Sequence, residues 1–166
     1  VWNCPMSPEE QTFLDQLRRV LTEKVAPLAA ETDETAQFVH RQLATLADLG
    51  LMGANLPAPY GPAISAAALY AAVEAVAGAC GSTASALTAH YLATDSLHLG
   101  ADPALQARFL PDAAVGTKLG AFALTERNAG SDPADMRTTA TKQGDHYRLK
   151  GSKCFISNEN FSILSI

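Results

Sequence analysis

Residues 120–132 read GAFALTERNAGSD and mark the point at which the character of the chain changes. The first five of these residues predict a short, buried, apolar strand, and the rest predict a loop. In that loop, Gly130 and Ser131 could present backbone N–H groups to an anion such as a phosphate, although the residues alone favour an ordinary surface turn. The loop matches neither GxGxxG nor a Walker A motif, which disfavours a nicotinamide-binding Rossmann site or a P-loop.

The region before this stretch is predicted to be helical. A first helix is predicted to begin with Ser7 as its cap, Pro8 at the first helical position and Glu10 completing a capping box. Apolar residues then recur at helical spacing as far as Val25, and Pro27 is expected to bend or end the helix. Further helices are predicted over residues 38–49, 64–79, 84–99 and from 102–103 onward, with Gly50, Gly81–Ser82 and Pro111 expected to end or interrupt them.

The region after this stretch is predicted to form strands over residues 138–142, 146–150 and 153–157, with turns at 143–145 and 151–152. The predicted fold class is therefore α+β. An all-α helical bundle in residues 1–118 is followed, in residues 119–166, by the first strands of an antiparallel β-barrel or sandwich. So few strands leave an unpaired edge. We therefore expect the chain to be incomplete at its C-terminus, through truncation or a change of reading frame near residue 160.

The composition excludes several classes of function. The 166 residues are 48% hydrophobic and 17% charged, with a formal net charge of −5, and no basic stripe suits nucleic acid or a membrane surface. Residues 75–94 contain no Asp, Glu, Lys or Arg, but their small residues and glycines favour a buried helix over a membrane span. The three cysteines and four histidines form no CxxC pair or ligand cluster, so we expect no disulfide, no metal site and a cytoplasmic location.

A second informative segment, residues 147–158, reads YRLKGSKCFISN and lies about 25 residues further along the chain. The two segments together resemble the flavin-contacting segments of the acyl-CoA dehydrogenase family, which are a TEP-x-AGSD loop and a strand ending in NG-x-K-x-(Trp/Phe)-I-(Ser/Thr)-N. Residues 49–53, 59–61 and 105–124 resemble further landmarks of that family. The resemblance covers residues 7 to about 160, and the order and spacing of the motifs make it specific.

This resemblance implies that a helical N-terminal domain and a middle β-domain enclose FAD and an acyl-CoA thioester. In the family, a glutamate from a C-terminal helical domain removes the α-proton, and the β-hydride passes to N5 of the flavin, which leaves a trans-2,3 double bond. The implied cofactor is FAD and the implied substrate is acyl-CoA. An electron-transfer protein as acceptor and a homo-oligomeric full-length protein are implied as well.

The resemblance also implies contacts for individual residues. Thr125 is expected to hydrogen-bond the pyrimidine edge of the flavin, Ser131 to contact the cofactor and the acyl-CoA, and Ser157 to place its hydroxyl near flavin N5. No catalytic base is expected in this chain, and Glu126 is expected to have a surface role. The full set of expected flavin contacts is Phe122, Ala123, Leu124, Thr125, Gly130, Ser131, Phe155, Ile156 and Ser157.

Some residues depart from the family pattern, and other functions stay open. Arg127 stands where proline is usual, and Phe155 replaces the commoner tryptophan. The alternatives are a non-catalytic helical binding module that retains the fold, and a related flavin oxidase or monooxygenase. Glu74 is the one acid in an apolar sequence setting and is the alternative base, although pairing with a basic neighbour or facing a missing domain is favoured. We expect the 166-residue chain by itself to bind FAD weakly or not at all, to have a tendency to aggregate and to be inactive.

Overall fold

The computed structural model describes residues 6–161 and 164–165, and it contains the capped first helix that the sequence predicts. Helix α1 spans Pro8–Val20. The Ser7 hydroxyl accepts a hydrogen bond from the backbone N–H of Glu10 at 3.2 Å, and the Glu10 carboxylate accepts one from the N–H of Ser7 at 2.9 Å. This reciprocal capping box satisfies N–H groups that the start of a helix leaves free. The other Glu10 oxygen accepts from the N–H of Ser65 at 2.7 Å, which ties α1 to the loop before the next long helix.

Pro27 changes the hydrogen-bond pattern of this helical path without ending it. From α1 the chain passes through a π-helical segment, Leu21–Val25, and a 3-10 turn, Ala26–Leu28. It then enters helix α2, Ala29–Thr35. Because proline has no backbone N–H to donate, the pattern of hydrogen bonds shifts near the position where it enters the helix.

The next elements are helix α3 (His40–Asp48), a 3-10 turn (Leu51–Gly53), helix α4 (Ala66–Ala79), helix α5 (Gly81–Gly100) and helix α6 (Pro103–Ala114). Two predicted interruptions are wrong. The break between α4 and α5 lies at Cys80, whose backbone is extended, and Gly81 is the first residue of α5. Helix α6 continues through Pro111 to Ala114, because burial of Leu110 and Ala114 offsets the hydrogen bond that proline cannot donate.

The core of the helical region lies between the inward faces of α1, α4 and α5. Leu14 and Leu17 on α1, Val76 on α4 and Leu87 on α5 are all fully buried. Removing such a side chain from water contributes about 1.5–3 kcal/mol, so these faces hold the helices together. None of the described helices combines the length and the apolar character that crossing a membrane would require.

In the described part of the chain, strands occur only from residue 120 onward, as the sequence predicts. Strand β1 (Gly120–Ala121) pairs in parallel with β4 (Leu164–Ser165), and β2 (Thr139–Gln143) pairs antiparallel with β3 (His146–Lys150). Gly144 has a φ of 64° in the turn of this hairpin, a left-handed conformation that glycine adopts without a steric penalty. The side chains of β2 and β3 are exposed on both faces of the hairpin.

Two predicted strands differ from the observed ones. The strand expected over residues 120–124 is paired only at Gly120–Ala121. Residues 153–157 form no strand, because Phe155 has a φ of 57° and a left-handed residue turns the chain out of the extended path. The expected antiparallel pairing is confirmed for β2 and β3, whereas β1 and β4 are parallel.

Candidate functional site

The two segments expected to contact a flavin lie side by side. The backbone N–H of Cys154 donates to the carbonyl oxygen of Thr125 at 3.0 Å. The ammonium group of Lys153 donates to the carbonyl oxygen of Leu124, also at 3.0 Å, across 29 residues of sequence. Residues 122–125 are half-buried along this junction. The structure therefore brings Thr125 and its preceding residues next to the segment that contains Phe155.

Glu126 anchors this junction, and the prediction of a surface role for it is wrong. Its side chain is only 7% exposed. Its carboxylate accepts hydrogen bonds from the Thr138 hydroxyl and the Lys153 ammonium (2.9 Å), and from the backbone N–H groups of Arg137 (2.8 Å) and Thr138 (3.1 Å). The Thr138 hydroxyl, followed by Lys153 and the Arg137 N–H, lowers the pKa of Glu126 to about 2. A carboxylate held in its charged form by so many donors is a poor proton acceptor.

The loop after Glu126 is shaped by its own backbone and by one aspartate. Glu126 and Ala129 exchange two backbone hydrogen bonds, of 3.0 and 3.1 Å, across a tight turn. The Asp132 carboxylate accepts from the N–H of Ala134 at 3.0 Å and caps a short 3-10 turn over Pro133–Asp135. Arg127, which replaces the usual proline, lies inside the first turn without opening it.

Gly130 and Ser131 lie between these two turns and are exposed. A Cβ atom added at Gly130 would meet no atom within 4 Å, so the space beside this backbone is open. In the described part of the chain, neither residue forms a hydrogen bond to the Phe155 segment. Gly130 and Ser131 are therefore not linked by hydrogen bonds to the Phe155 segment in the way that Thr125 and Leu124 are.

Phe155 combines two features that are unusual for a large aromatic residue. Its φ is 57°, and its side chain is 93% exposed. A left-handed conformation costs a bulky residue on the order of 1–3 kcal/mol and persists only where neighbouring contacts impose it. Here Cys154 and Asn158, on either side, are both held by hydrogen bonds to other elements. These bonds hold the backbone on both sides of Phe155, and its exposed aromatic ring is suited to contact a planar ligand.

The hydroxyls of Thr125, Ser131 and Ser157 are available to a ligand. Within the described residues, no hydrogen bond occupies any of the three side chains; Thr125 is half-buried and both serines are exposed. A flavin ring has a polar edge of nitrogen and oxygen atoms that hydroxyls can bond, and a flat face that an aromatic ring can contact. The donor set of this site therefore fits FAD.

Ser157 and Asn158 also line a groove of about 600 Å³. Its other walls are residues 36–39, between α2 and α3, and residues 81, 82, 85 and 86 at the start of α5. A cavity of about 700 Å³ lies between α1 and residues 59–64, but no expected flavin contact lines it. We assign the smaller groove to the candidate site because it reaches Ser157, and its size suits part of a small-molecule ligand.

Sequence reasoning missed three side chains that build the site: Lys153, Asn158 and His90. His90 lies in α5 and is fully buried. The N–H of Gly120 donates to its Nδ1 at 2.9 Å, so Nε2 carries the proton and donates to the carbonyl oxygen of Met52 at 3.2 Å. Burial lowers the pKa of His90 to about 4, so the ring is neutral near pH 7. The available signal was a histidine within residues 75–94, a stretch without Asp, Glu, Lys or Arg that is predicted to be buried, where a polar side chain requires internal partners.

Glu74, the alternative base, does not belong to the candidate site. Its side chain is exposed on α4, and it does not line the groove that reaches Ser157. Among the residues that the structure describes, no group of three or more His, Cys, Asp or Glu side chains is placed to hold a metal ion.

Two family models match nearly the whole chain. The model described as "Acyl-CoA dehydrogenase, N-terminal domain" matches residues 7–117, and "Acyl-CoA dehydrogenase, middle domain" matches residues 121–164. A probable acyl-CoA dehydrogenase of Bacillus subtilis, YngJ, is 35% identical over 163 residues, and a short-chain specific acyl-CoA dehydrogenase of Clostridium acetobutylicum is 36% identical over 156 residues. These matches cover 96% and 92% of this chain but 43% and 41% of the relatives, so the chain spans less than half of their length.

Solved structures show the same likeness. A glutaryl-CoA dehydrogenase from Mycobacterium smegmatis superposes with a TM-score of 0.90 at 34% identity, over 97% of this chain and 42% of that one. A glutaryl-CoA dehydrogenase from the same organism in complex with FADH2 gives 0.89 at 25% identity, over 96% and 42%. A chain solved in work on the electron transferring flavoprotein of Acidaminococcus fermentans gives 0.89 at 27% identity, over 97% and 43%.

Proposed function

The chain belongs to the acyl-CoA dehydrogenase family, and from this membership we propose that the whole protein is an FAD-dependent enzyme that α,β-dehydrogenates an acyl-CoA thioester. One observation carries the proposal. The hydrogen bond from the N–H of Cys154 to the carbonyl of Thr125 joins the two expected flavin segments and leaves the Thr125 and Ser157 hydroxyls free beside an exposed Phe155.

In this proposal the chain supplies the wall of the site that holds the flavin. Thr125 bonds the polar edge of the ring, Phe155 and Ile156 border it, and the Ser157 hydroxyl lies near N5. Ser131 contacts the acyl-CoA as well as the cofactor. When bound, the flavin accepts the hydride from the substrate. The remaining proposed contacts are Phe122, Ala123, Leu124 and Gly130.

We further propose that the catalytic base lies outside the described residues. Removing an α-proton requires a carboxylate within hydrogen-bond reach of that proton. Glu126 lies beside the flavin segments, but its hydrogen bonds to Thr138 and Lys153 hold it in its charged form. Asp132 is engaged as a cap, and Glu74 lies outside the groove. None of these three acids is therefore a suitable base.

Several wider properties belong to the same proposal. We place the boundary between a helical N-terminal domain and a middle β-domain at residues 118–119. We propose an electron-transfer protein as the electron acceptor, and this is supported by the likeness to a chain from the work on an electron transferring flavoprotein. A homo-oligomeric whole protein in the cytoplasm is proposed from the resemblance and from the scattered cysteines.

The whole protein, purified and supplied with excess FAD, is expected to show a flavin absorption spectrum, and acyl-CoA is expected to bleach it. The same protein supplied with NAD instead of FAD is expected to show no bound cofactor. Acyl-CoA-dependent reduction of an artificial electron acceptor is then expected as turnover. A protein without flavin absorbance after FAD is added would support a non-catalytic binding module. A protein that binds flavin but consumes oxygen in stoichiometric turnover would support the oxidase or monooxygenase alternative.

A further inference from the structure

Both backbone polar groups of Gly120 are held by buried side chains. Its N–H donates to Nδ1 of His90 at 2.9 Å, and its carbonyl oxygen accepts from Nδ2 of Asn158 at 3.1 Å. The same Asn158 amide donates to the carbonyl oxygen of Ala86 at 2.8 Å. His90 is fully buried and Asn158 is 7% exposed. Because Ala86 and His90 both belong to α5, that one helix is connected to Gly120 through each of its backbone groups.

Gly120 is also packed closely against α5. A Cβ atom added at Gly120 would lie 2.7 Å from the Cβ of Ala93, which is also on α5. His90 extends the connection further, because its Nε2–H donates to the carbonyl of Met52 in the 3-10 turn before α4. A single imidazole thus fixes β1, α5 and that turn relative to one another.

These contacts lie at the ends of the two expected flavin segments. Gly120 precedes Phe122 by two residues, and Asn158 directly follows Ser157. Asn158 has a φ of 68°, a left-handed conformation that asparagine tolerates better than most residues. Its side chain therefore reaches back to both Gly120 and α5 from the end of the second segment. The two segments are therefore joined by hydrogen bonds at this point as well as by the Cys154–Thr125 bond.

We propose that His90 and Asn158 are positioning residues that clamp Gly120 and thereby set the distance between the two flavin-contacting segments. This inference rests on the proposed function, because it assigns the clamp to FAD binding. His90 does not line the groove that reaches Ser157; Asn158 lines it, but its role in the clamp is through its bonds to Gly120 and Ala86. The competing explanation is that His90 serves only to hold the helical region together through its bond to Met52.

Two substitutions of His90 separate these explanations, because one keeps the hydrogen bond to Gly120 and the other keeps the hydrogen bond to Met52. The side-chain oxygen of asparagine occupies nearly the place of Nδ1, so His90→Asn retains an acceptor for the N–H of Gly120 and loses the donor to Met52. The side-chain amide nitrogen of glutamine occupies nearly the place of Nε2, so His90→Gln retains the donor to Met52 and leaves the Gly120 N–H without a partner. Asn158→Gly retains the left-handed backbone and removes the amide.

The experiment measures the FAD dissociation constant, the flavin absorption spectrum and the thermal midpoint of the whole protein for each variant. We expect His90→Asn to bind FAD like the wild type. We expect His90→Gln and Asn158→Gly to bind FAD roughly tenfold more weakly and to show an altered flavin spectrum, because in each the N–H or the carbonyl of Gly120 loses its hydrogen-bond partner. The matched control is Gln42→Leu, which removes another buried, hydrogen-bonded side chain of the helical region; it is expected to change the thermal midpoint alone.

Three outcomes would overturn the clamp. The first is equal FAD affinity in His90→Asn and His90→Gln. The second is weaker FAD binding by His90→Asn than by His90→Gln. The third applies if either histidine variant does not fold, and it is an unchanged FAD affinity and flavin spectrum in Asn158→Gly. A wild-type protein that binds no FAD would instead reject the proposed function and the clamp together, which distinguishes the two failures.

Discussion

Glu126 illustrates how a single residue acquires a role that its local sequence does not indicate. It sits in a polar loop between Thr125 and Arg127, a setting typical of an exposed acid. Its partners, Thr138 and Lys153, are 12 and 27 residues away, and a local pattern carries no information about such contacts. The same limitation applies to His90 and Asn158, whose partners come from other elements. Thr125, Ser131 and Ser157 are different, because they lie within the motifs themselves, and their contacts with a flavin stay predictions.

Replacing Glu126 with glutamine is expected to lower the stability of the 166-residue chain at neutral pH. The substitution removes the charge that pairs with Lys153 and accepts from the N–H of Arg137. Because the folded-state pKa, about 2, is lower than the usual value of 4.5, the stability from this group is present above pH 4.5 and is lost as the pH falls toward 2. Urea midpoints measured from pH 7 to pH 2.5 should therefore converge for the wild type and the variant.

The control for this measurement is Glu23→Gln, an exposed glutamate in the π-helical segment after α1. It removes the same charge and should leave the midpoint nearly unchanged at every pH. A constant gap between the wild type and Glu126→Gln down to pH 2.5 would show that the lost stability is unrelated to ionisation of this carboxyl.

His90 is expected to make the chain sensitive to mild acid. Its folded-state pKa, about 4, is lower than the usual 6.5, because burial disfavours the charged ring. The unfolded chain therefore binds a proton that the folded chain excludes, so stability is complete above pH 6.5 and falls as the pH drops toward 4, by on the order of 3 kcal/mol. His90→Asn cannot titrate in this range. Its stability should fall less than that of the wild type between pH 7.5 and pH 4.5, and parallel curves would contradict the prediction.

Ser157→Ala in the whole enzyme tests the hydroxyl expected near flavin N5. Losing one hydrogen bond to the flavin costs about 0.5–1.5 kcal/mol, so flavin reduction by acyl-CoA should slow roughly two- to tenfold. FAD affinity should change less, because the adenine end of the cofactor is untouched. Ser152→Ala, an exposed serine five residues earlier, is the matched control. Reduction rates that are equal in both variants would remove Ser157 from the site.

At the scale of the elements, helix starts with a side-chain cap carry a local signal, whereas the uncapped start of α5 and the extents of the strands do not. Ser7, Ser65 and Asp102 each cap a helix through a side-chain hydrogen bond to a backbone N–H three residues later, and that is a local signal. Residues 153–157 have the composition of a strand, but Phe155 turns out of the extended path because Cys154 and Asn158 are tied to Thr125 and to α5. Tertiary contacts therefore decided the conformation of the second flavin segment.

The β2–β3 hairpin is expected to be the least protected regular element of the 166-residue chain. Both of its faces are exposed, and an isolated two-stranded hairpin is marginally stable in water. Helix α5, in contrast, has ten buried residues. Amide hydrogen exchange should be roughly a hundredfold or more faster in the hairpin than in the buried part of α5. Equal protection would show that the hairpin packs against a surface in solution.

At the scale of the whole molecule, α5 connects the two regions that the sequence separates at residues 118–119. It buries Leu87 against the helical core, and through Ala86 and His90 it holds Asn158 and Gly120 of the strand region. The division into a helical and a strand region could be read from the periodicity of the apolar residues. The connection between them could not, because it depends on the polar side chains of His90 and Asn158, which reach Gly120 only in the folded chain.

The 166-residue chain by itself is expected to have no dehydrogenase activity. Glu126 and Glu74 do not meet the requirement for a base placed against the substrate α-carbon. Glu126 is held in its charged form by Thr138 and Lys153, and Glu74 is exposed and does not line the groove. Phe155 is 93% exposed, so water has free access to the place where the flavin ring would lie. Electrostatic and hydride-transfer chemistry both depend on excluding that water.

The test is acyl-CoA-dependent dye reduction by the purified chain with excess FAD, measured against a control without protein. No turnover is expected from the wild type or from Glu74→Gln, and the two should also have the same thermal midpoint, because Glu74 is exposed on α4. Whether the chain has folded is checked by circular dichroism, and the measured helical content should match that of the six described α-helices. Turnover above the control that Glu74→Gln abolishes would contradict the prediction, because it would identify Glu74 as a base that approaches the substrate only when the substrate is bound.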